Sequence, residues 1–246
     1  MKEYGIQLYS VRDAMKKDVP GTLAQVAKMG YKSVEFAGFF GYKAKEIRKM
    51  LDDNGLTVAG THTGLNELTD AKINETMDFM REIGNVDIVV PSAPHHRKGQ
   101  QDKTMEKLNQ AKSVLEKEGF SLSYHNHSSE FQKRLLSPVF YPRLLEQTDV
   151  CLEVDTFWAY NAGQDPLALL DRLHDRIHII HLKDGIKQEG RRGAVGKSLG
   201  LGNAPVKAVL DKALSYGFKI VVESENQDPD GITEITRCID FLKNQE

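Results

Sequence analysis

Cysteine is scarce in this chain: Cys151 and Cys238 are the only two in 246 residues. They lie far apart and form neither a CxxC pair nor a metal-ligand spacing. That excludes a disulfide framework and a thiolate metal centre, and two buried, reduced thiols are expected instead. No apolar run approaches the roughly 20 residues that a membrane helix needs, so a membrane partner is not expected. An excess of either charge is missing as well, because 33 Lys and Arg stand against 35 Asp and Glu, a formal net charge of -2. Such a balance offers no global electrostatic footprint for nucleic acid. Met1-Lys2-Glu3-Tyr4-Gly5 runs straight into a strand pattern, without the apolar segment and small-residue cleavage site of a secretory leader. A cytoplasmic address is therefore expected, although a chain whose leader had been trimmed would read the same way. No linker rich in Pro, Gly or Ser interrupts the composition, so residues 1–246 are expected to form one domain.

What the chain does have is alternation. Short apolar runs that read as strands fall at residues 5–9, 33–36, 57–61, 88–90, 121–125, 150–154, 177–181 and 219–223. Helical patterns lie between them and after the last, at 21–29, 44–54, 73–83, 103–118, 138–147, 166–173, 205–216 and 232–244. Glycine stops close several of these helices, as in Met29-Gly30, Asn54-Gly55, Ile83-Gly84, Glu118-Gly119 and Tyr216-Gly217. Eight strand-then-helix units predict an α/β fold, a single (β/α)8 TIM barrel. No GxGxxG follows the first strand, which speaks against a doubly wound dinucleotide fold. In a barrel the functional end is where strands finish and the loops to the following helices begin.

Residues with metal-type donors stand at those ends in the second half: His125, Asp155, His181 and Glu223. Strand side chains alternate faces, so Cys151, Glu153 and Asp155 share one face, as do Ile179 and His181, and Val221 and Glu223. The intervals of roughly 25 to 40 residues leave room for a crossover helix and a return to a neighbouring parallel strand. One metal site is the expectation. Two carboxylates with one or two imidazoles suit Mn, Zn, Co or Fe better than Ca. The long segment 183–203 after strand seven, with Arg191, Arg192, Gly193 and Lys197, reads as a glycine-hinged substrate lid. His95-His96-Arg97 reads as an exposed basic loop, and His174 and His178 as structural residues.

Three stretches carry a family likeness. Tyr124-His125-Asn126-His127-Ser128-Ser129-Glu130-Phe131, Glu153-Val154-Asp155-Thr156-Phe157-Trp158 with Asp165-Pro166 downstream, and His181-Leu182-Lys183-Asp184 resemble the sugar phosphate isomerase/epimerase branch of the xylose isomerase-like TIM barrels. The likeness extends over nearly the whole chain, including Tyr31-Lys32-Ser33-Val34-Glu35 on strand two and His62 after strand three. It implies one divalent metal, Mn before Zn, Co, Mg or Fe, held by Asp155, His181 and Glu223. The family's usual strand-five glutamate is replaced here by His125, so His125, His127 or Glu130 would complete the sphere, with His125 the first choice.

The resemblance further implies chemistry on a small carbohydrate, with Glu223 as ligand and base and His125, His127 or Glu130 opposite it; Lys183 shares the strand parity of His181, which places it to neutralise an enolate or bind a hydroxyl. A metal acting as Lewis acid on a ketose or 3-ketosugar carbonyl favours loss of the neighbouring carbon-bound proton to a base within reach. Isomerisation or epimerisation is the leading outcome, and dehydration or lyase activity on a 3-ketosugar or inosose the alternative. Glu35, His62, His127, Glu130, Trp158 and Lys197 are the expected substrate contacts. A non-catalytic sugar-binding barrel and an endonuclease IV-like DNA repair hydrolase are the remote readings. Family members are often dimers or tetramers, which makes a homo-oligomer an expectation by resemblance only.

Overall fold

Aspartates start several of the helices. Asp18 accepts from the Gly21 amide at 2.9 Å, Asp165 from Leu167 and Ala168 at 2.9 and 3.2 Å, and Asp230 from Thr233 at 2.8 Å. Each occupies a donor that a first helical turn leaves without an intrahelical partner. At the other end Gly55 and Gly217 take left-handed φ of 61° and 73°, closing the helices where glycine stops were predicted.

A computed structural model describes residues 2–135, 137–187 and 194–245. Its first half runs β1 (Gly5–Gln7), α1 (Arg12–Lys17), α2 (Val19–Met29), β2 (Ser33–Phe36), α3 (Ala44–Asn54), β3 (Thr57–His62), α4 (Ile73–Ile83), β4 (Asp87–Val90) and α5 (Lys98–Lys117). The second half runs β5 (Ser121–His125), α6 (Phe140–Gln147), β6 (Cys151–Asp155), α7 (Thr156–Asn161), α8 (Pro166–Leu173), β7 (Ile177–Leu182), β8 (Asp184–Lys187), β9 (Ala194–Lys197), α9 (Val206–Tyr216), β10 (Lys219–Val222) and α10 (Gly231–Lys243). Parallel strands close a barrel in the order β1, β10, β7, β6, β5, β4, β3, β2, the predicted (β/α)8 architecture. Among the described residues no helix is long and apolar enough to cross a membrane.

Several boundaries moved, two of them for plain local reasons. The first strand stops at Gln7, because the Gln7 side chain accepts from the Tyr9 amide at 2.9 Å and turns the chain into a single tight helical turn. The fifth helix begins at Lys98 rather than 103, where the Gln100 side chain takes the Arg97 amide at 3.0 Å.

The segment after β7 is a ribbon tied at its base. Asp184 accepts from the backbone amides of Gly185, Gly200, Gly202 and Ala204 at 2.7 to 3.2 Å. Gly200 and Gly202, inside the segment expected to hinge, are thus pinned by one buried carboxylate. Strands β8 and β9 pair antiparallel above it. Arg191, Arg192 and Gly193 lie outside the described residues.

Most of the core packs between the strands and the helices. Inside the barrel sits a separate apolar plug of Ala59, Val89, Ile179 and Val221. One further step along β7 and β10 the same inward face carries His181 and Glu223. On β3 a bulge intervenes: Val34 pairs with Val58 but Glu35 with Gly60, so β3 gains a residue at this point. Thr61 consequently turns towards Met80 and Asn85, and His62 turns inward. Gly60 makes room for Glu35, since a Cβ there would meet Glu35 Oε1 at 3.3 Å and Ile179 Cδ1 at 3.1 Å.

Candidate metal centre

Asp155 ends β6 and also caps α7. Its Oδ1 accepts from the Trp158 amide at 2.7 Å, which fixes the side chain and leaves Oδ2 buried without a hydrogen-bond partner. From β7 comes His181, and from the residue after β10 comes Glu223, whose Oε2 lies 3.4 Å from His181 Nδ1. One donor atom from each of Asp155, His181 and Glu223 falls within 4.8 Å of the others. Three of the four residues named at strand ends are therefore brought together, without His125. All three are buried, and His181 Nδ1, like Asp155 Oδ2, has no hydrogen-bond partner. Two carboxylates, one imidazole and two unpartnered buried donors fit a divalent cation of the Mn or Zn type.

Lys183 lies beside this trio. Its ammonium donates to Glu223 Oε2 at 3.0 Å and Glu225 Oε1 at 2.6 Å, stands 3.7 Å from Asp155 Oδ2, and sits 4.6 Å from the centre of the Trp158 ring. Burial works against its charge, but Glu223, Asp155 and Glu225 outweigh burial and hold it protonated well above the ordinary lysine range. Burial likewise opposes ionisation of Glu223, and Lys183 and His181 overcome it. Asp155 goes the other way: burial raises its carboxyl to about 7, with Lys183 opposing and Glu223 adding to the rise.

His125 takes a different place from the one expected. It joins His62, Glu153 and His181 in a second group, of which His62 and His125 line the same cleft as Glu223. Its Nδ1 lies 3.0 Å from Glu153 Oε2, without hydrogen-bond geometry. The same Glu153 oxygen is 2.8 Å from His62 Nε2 and 3.3 Å from His181 Nε2. Glu35 accepts from His181 Nε2 at 2.6 Å and from Gln7 Nε2 at 2.9 Å, so it reaches His181 from beneath instead of facing a ligand at the mouth. Burial pushes the His125 imidazole down to about 3, which keeps it neutral. Burial also raises Glu35 to about 7, helped by the Glu153 charge. His62 is burdened by burial too, yet Glu35 and Glu153 lift it above its ordinary value.

The other expected contacts divide. His127 and Trp158 line the open mouth, His127 on both a cleft of about 550 Å³ with His62, His125, Glu223 and Glu225 and an adjoining groove of about 980 Å³. Glu130 is taken up locally: it accepts from the His127 amide at 3.1 Å and from Ser129 Oγ at 2.8 Å, capping a short turn. Lys197 stands on the ribbon opposite Asp184. Among the described residues no ion pair or side-chain hydrogen bond joins it to the mouth; a Cβ on its neighbour Gly196 would face Asn226, and strand alternation turns Lys197 away from that side. His96 and Arg97 are exposed as expected, but His95 is buried, with Nδ1 2.8 Å from the Ala93 carbonyl. Cys238 is buried and Cys151 only partly so, and both are free. Glu153, Gln7 and Glu225 were not anticipated. Glu153 carried a signal, its shared strand face with Asp155; Gln7 and Glu225 carried only their nearness to strand ends.

The family model described as xylose isomerase-like TIM barrel matches residues 23–245. An inosose dehydratase of Geobacillus kaustophilus is 25% identical over 203 residues, covering 68% of this chain and 65% of that enzyme, just under two thirds of its length. The inosose dehydratase of Clostridium beijerinckii is 25% identical over 248 residues, covering 84% of this chain and 82% of the relative. A crystal structure of a sugar phosphate isomerase/epimerase from Parabacteroides distasonis superposes with a TM-score of 0.76 at 26% identity, over 98% of this chain and 93% of that one.

Proposed function

The chain belongs to the xylose isomerase-like TIM barrel family, and from that premise we propose that it is a divalent-metal-dependent isomerase or epimerase of a small sugar or ketosugar, acting by proton transfer at the carbon next to a carbonyl. The observation that carries this reading is the convergence of Asp155, His181 and Glu223 at the mouth, with Asp155 Oδ2 and His181 Nδ1 buried and unpartnered. These three residues would hold the metal. When bound there, it would supply Lewis acidity to a substrate carbonyl and its adjacent hydroxyl.

The remaining steps fall to the chain's own groups. Glu223 is ionised and reaches the cleft, so it is placed to take the carbon-bound proton. Lys183, fixed between Glu223 and Glu225, keeps its proton and offers a positive charge to the oxygen on which negative charge develops. His127 lines the same cleft; burial lowers its pKa, leaving a neutral imidazole able to accept a proton at neutral pH. Return of the proton to another carbon gives isomerisation, and return to the opposite face of the same carbon gives epimerisation. Trp158 offers an apolar wall to a sugar ring at the edge of the adjoining groove.

Dehydration is the second reading, favoured by the two inosose dehydratases among the relatives. After the same first proton transfer, the carbon–oxygen bond one carbon further on breaks, and the departing hydroxyl takes a proton and leaves as water. NMR of a panel of ketoses, 3-ketosugars and inososes in deuterated water separates the outcomes. Isomerisation or epimerisation yields an isomeric product with solvent deuterium on carbon, whereas dehydration yields an unsaturated ketone. A protein that binds panel members and exchanges none of their carbon-bound protons is a binder, and the enzymatic reading is then wrong.

A further inference from the structure

Beside the trio of Asp155, His181 and Glu223, the residues His62, His125, Glu153 and His181 each present a donor atom within 4.8 Å of the others, from β3, β5, β6 and β7. We propose that this inner group is a second divalent-cation site, nitrogen-rich and suited to Zn²⁺, defined by His62, His125 and Glu153 and distinct from the centre at the mouth.

Spacing is the first support. Zinc with ligands at about 2.0 to 2.1 Å in a tetrahedron sets its ligands roughly 3.3 to 3.4 Å apart. Around Glu153 Oε2 the separations are 2.8 Å to His62 Nε2, 3.0 Å to His125 Nδ1 and 3.3 Å to His181 Nε2, and His62 Nε2 lies 3.5 Å from Glu35 Oε1. The Glu153 separations need shifts of only a few tenths of an ångström, the His62 and His125 donors lie within 4.8 Å of each other, and Glu35 stands at the fourth position.

Unmet hydrogen bonding is the second. His125 Nδ1, Glu153 Oε1 and Glu35 Oε1 are buried and lack hydrogen-bond partners, a state that native interiors seldom tolerate. Charge is the third. Glu35 and Glu153 are both fully buried, and among the described residues their ion-pair partners are histidines only, with no lysine or arginine. A dication among them would balance both carboxylates at once, where otherwise protonated histidines must supply the charge. An entry path exists, because His62 lines the mouth cleft and keeps 11% of its side chain exposed.

This site goes beyond the proposed function and does not depend on it, although His181 abuts both groups, turning Nδ1 to the mouth and Nε2 inward. The test measures metal per chain by mass spectrometry after the full-length protein is stripped with chelator, reloaded with Zn²⁺ and desalted. The wild type is expected to hold two ions, and Glu153→Gln, His62→Asn and Asp155→Asn one each. A wild type that holds one ion, kept in Glu153→Gln and His62→Asn and lost in Asp155→Asn, overturns the inner site and leaves the mouth centre standing. One ion kept in Asp155→Asn and lost in Glu153→Gln supports the inner site and removes the mouth centre instead. Anomalous diffraction at the zinc edge from wild-type crystals needs no variant to fold: a peak bonded to His62 Nε2, His125 Nδ1 and Glu153 is expected, and its absence with zinc in excess rejects the proposal.

Discussion

Two storeys of one barrel interior differ in chemistry while sharing the same burial. The lower is the plug of Ala59, Val89, Ile179 and Val221; the upper holds Glu35, His125, Glu153, Asp155, His181 and Glu223, all buried. A step of two residues along β7 exchanges Ile179 for His181, and along β10 and its extension Val221 for Glu223. The plug lowers the free energy of the fold by removing apolar surface from water. The upper storey does the reverse, because each buried charge gives up hydration that its partners only partly restore. Packing alone would extend the plug to the rim. The charges persist where strands end, at the place where a barrel does chemistry.

Breaking the upper storey at its ligand should have the largest effect. Asp155→Asn is expected to lower turnover about a thousandfold, the order expected when several kcal/mol of charge stabilisation are lost, together with metal at the mouth. Steady-state rates and metal content check this, and a variant that keeps its full rate contradicts it. Lys183→Met should come next: it leaves Glu223, Glu225 and Asp155 facing one another without their cation, at a cost of about 4 kcal/mol in urea unfolding of metal-free protein. A change near zero would mean that water already reaches these carboxylates.

In the lower storey Ile179→Ala should cost about 3 kcal/mol from lost contact and cavity formation. Metal content should stay at the wild-type level, and a loss of metal would show that the two storeys are mechanically one. The smallest effect lies at the opposite end of the barrel. Burial tends to raise Asp87, but bonds from His178, Lys219 and Ser121 prevail and hold its carboxyl at about 2. A carboxyl lowered from the ordinary value near 3.8 stabilises the fold above that value, and the contribution fades as pH falls towards 2. Asp87→Asn should therefore remove about 2 kcal/mol of the stability that the wild type loses between pH 5 and pH 2, read from urea midpoints across that range.

The storeys also differ in how far they could be read from sequence. Asp155, His181 and Glu223 were legible because each is the last residue of an inward strand face, and period two needs no knowledge of neighbouring strands. Glu153 stayed hidden because attention to the last residue of a face passes over the one before it. Glu35 and His62 were named, but their place beside His181 depends on the bulge in β3, which shifts inward and outward by one residue and leaves no mark in the hydrophobic pattern. His125 was named as a mouth ligand, whereas its contacts run to Glu153, a matter of how strands stagger around a closed barrel. The eight strand-then-helix units and their order along the chain were visible from the start. The ribbon of β8 and β9 was not, since its register rests on Asp184 gathering four amides from residues up to 20 positions away.

Solvent-deuterium exchange into a ketosugar tests the reading of the mouth centre most directly, with the protein metal-loaded, chelator-stripped and reloaded with Mn²⁺. Exchange should appear in the loaded protein, vanish on stripping, return on reloading and be lost in Asp155→Asn. Exchange that continues undiminished in both the stripped protein and Asp155→Asn would contradict a metal-assisted carbon acid held by Asp155, His181 and Glu223.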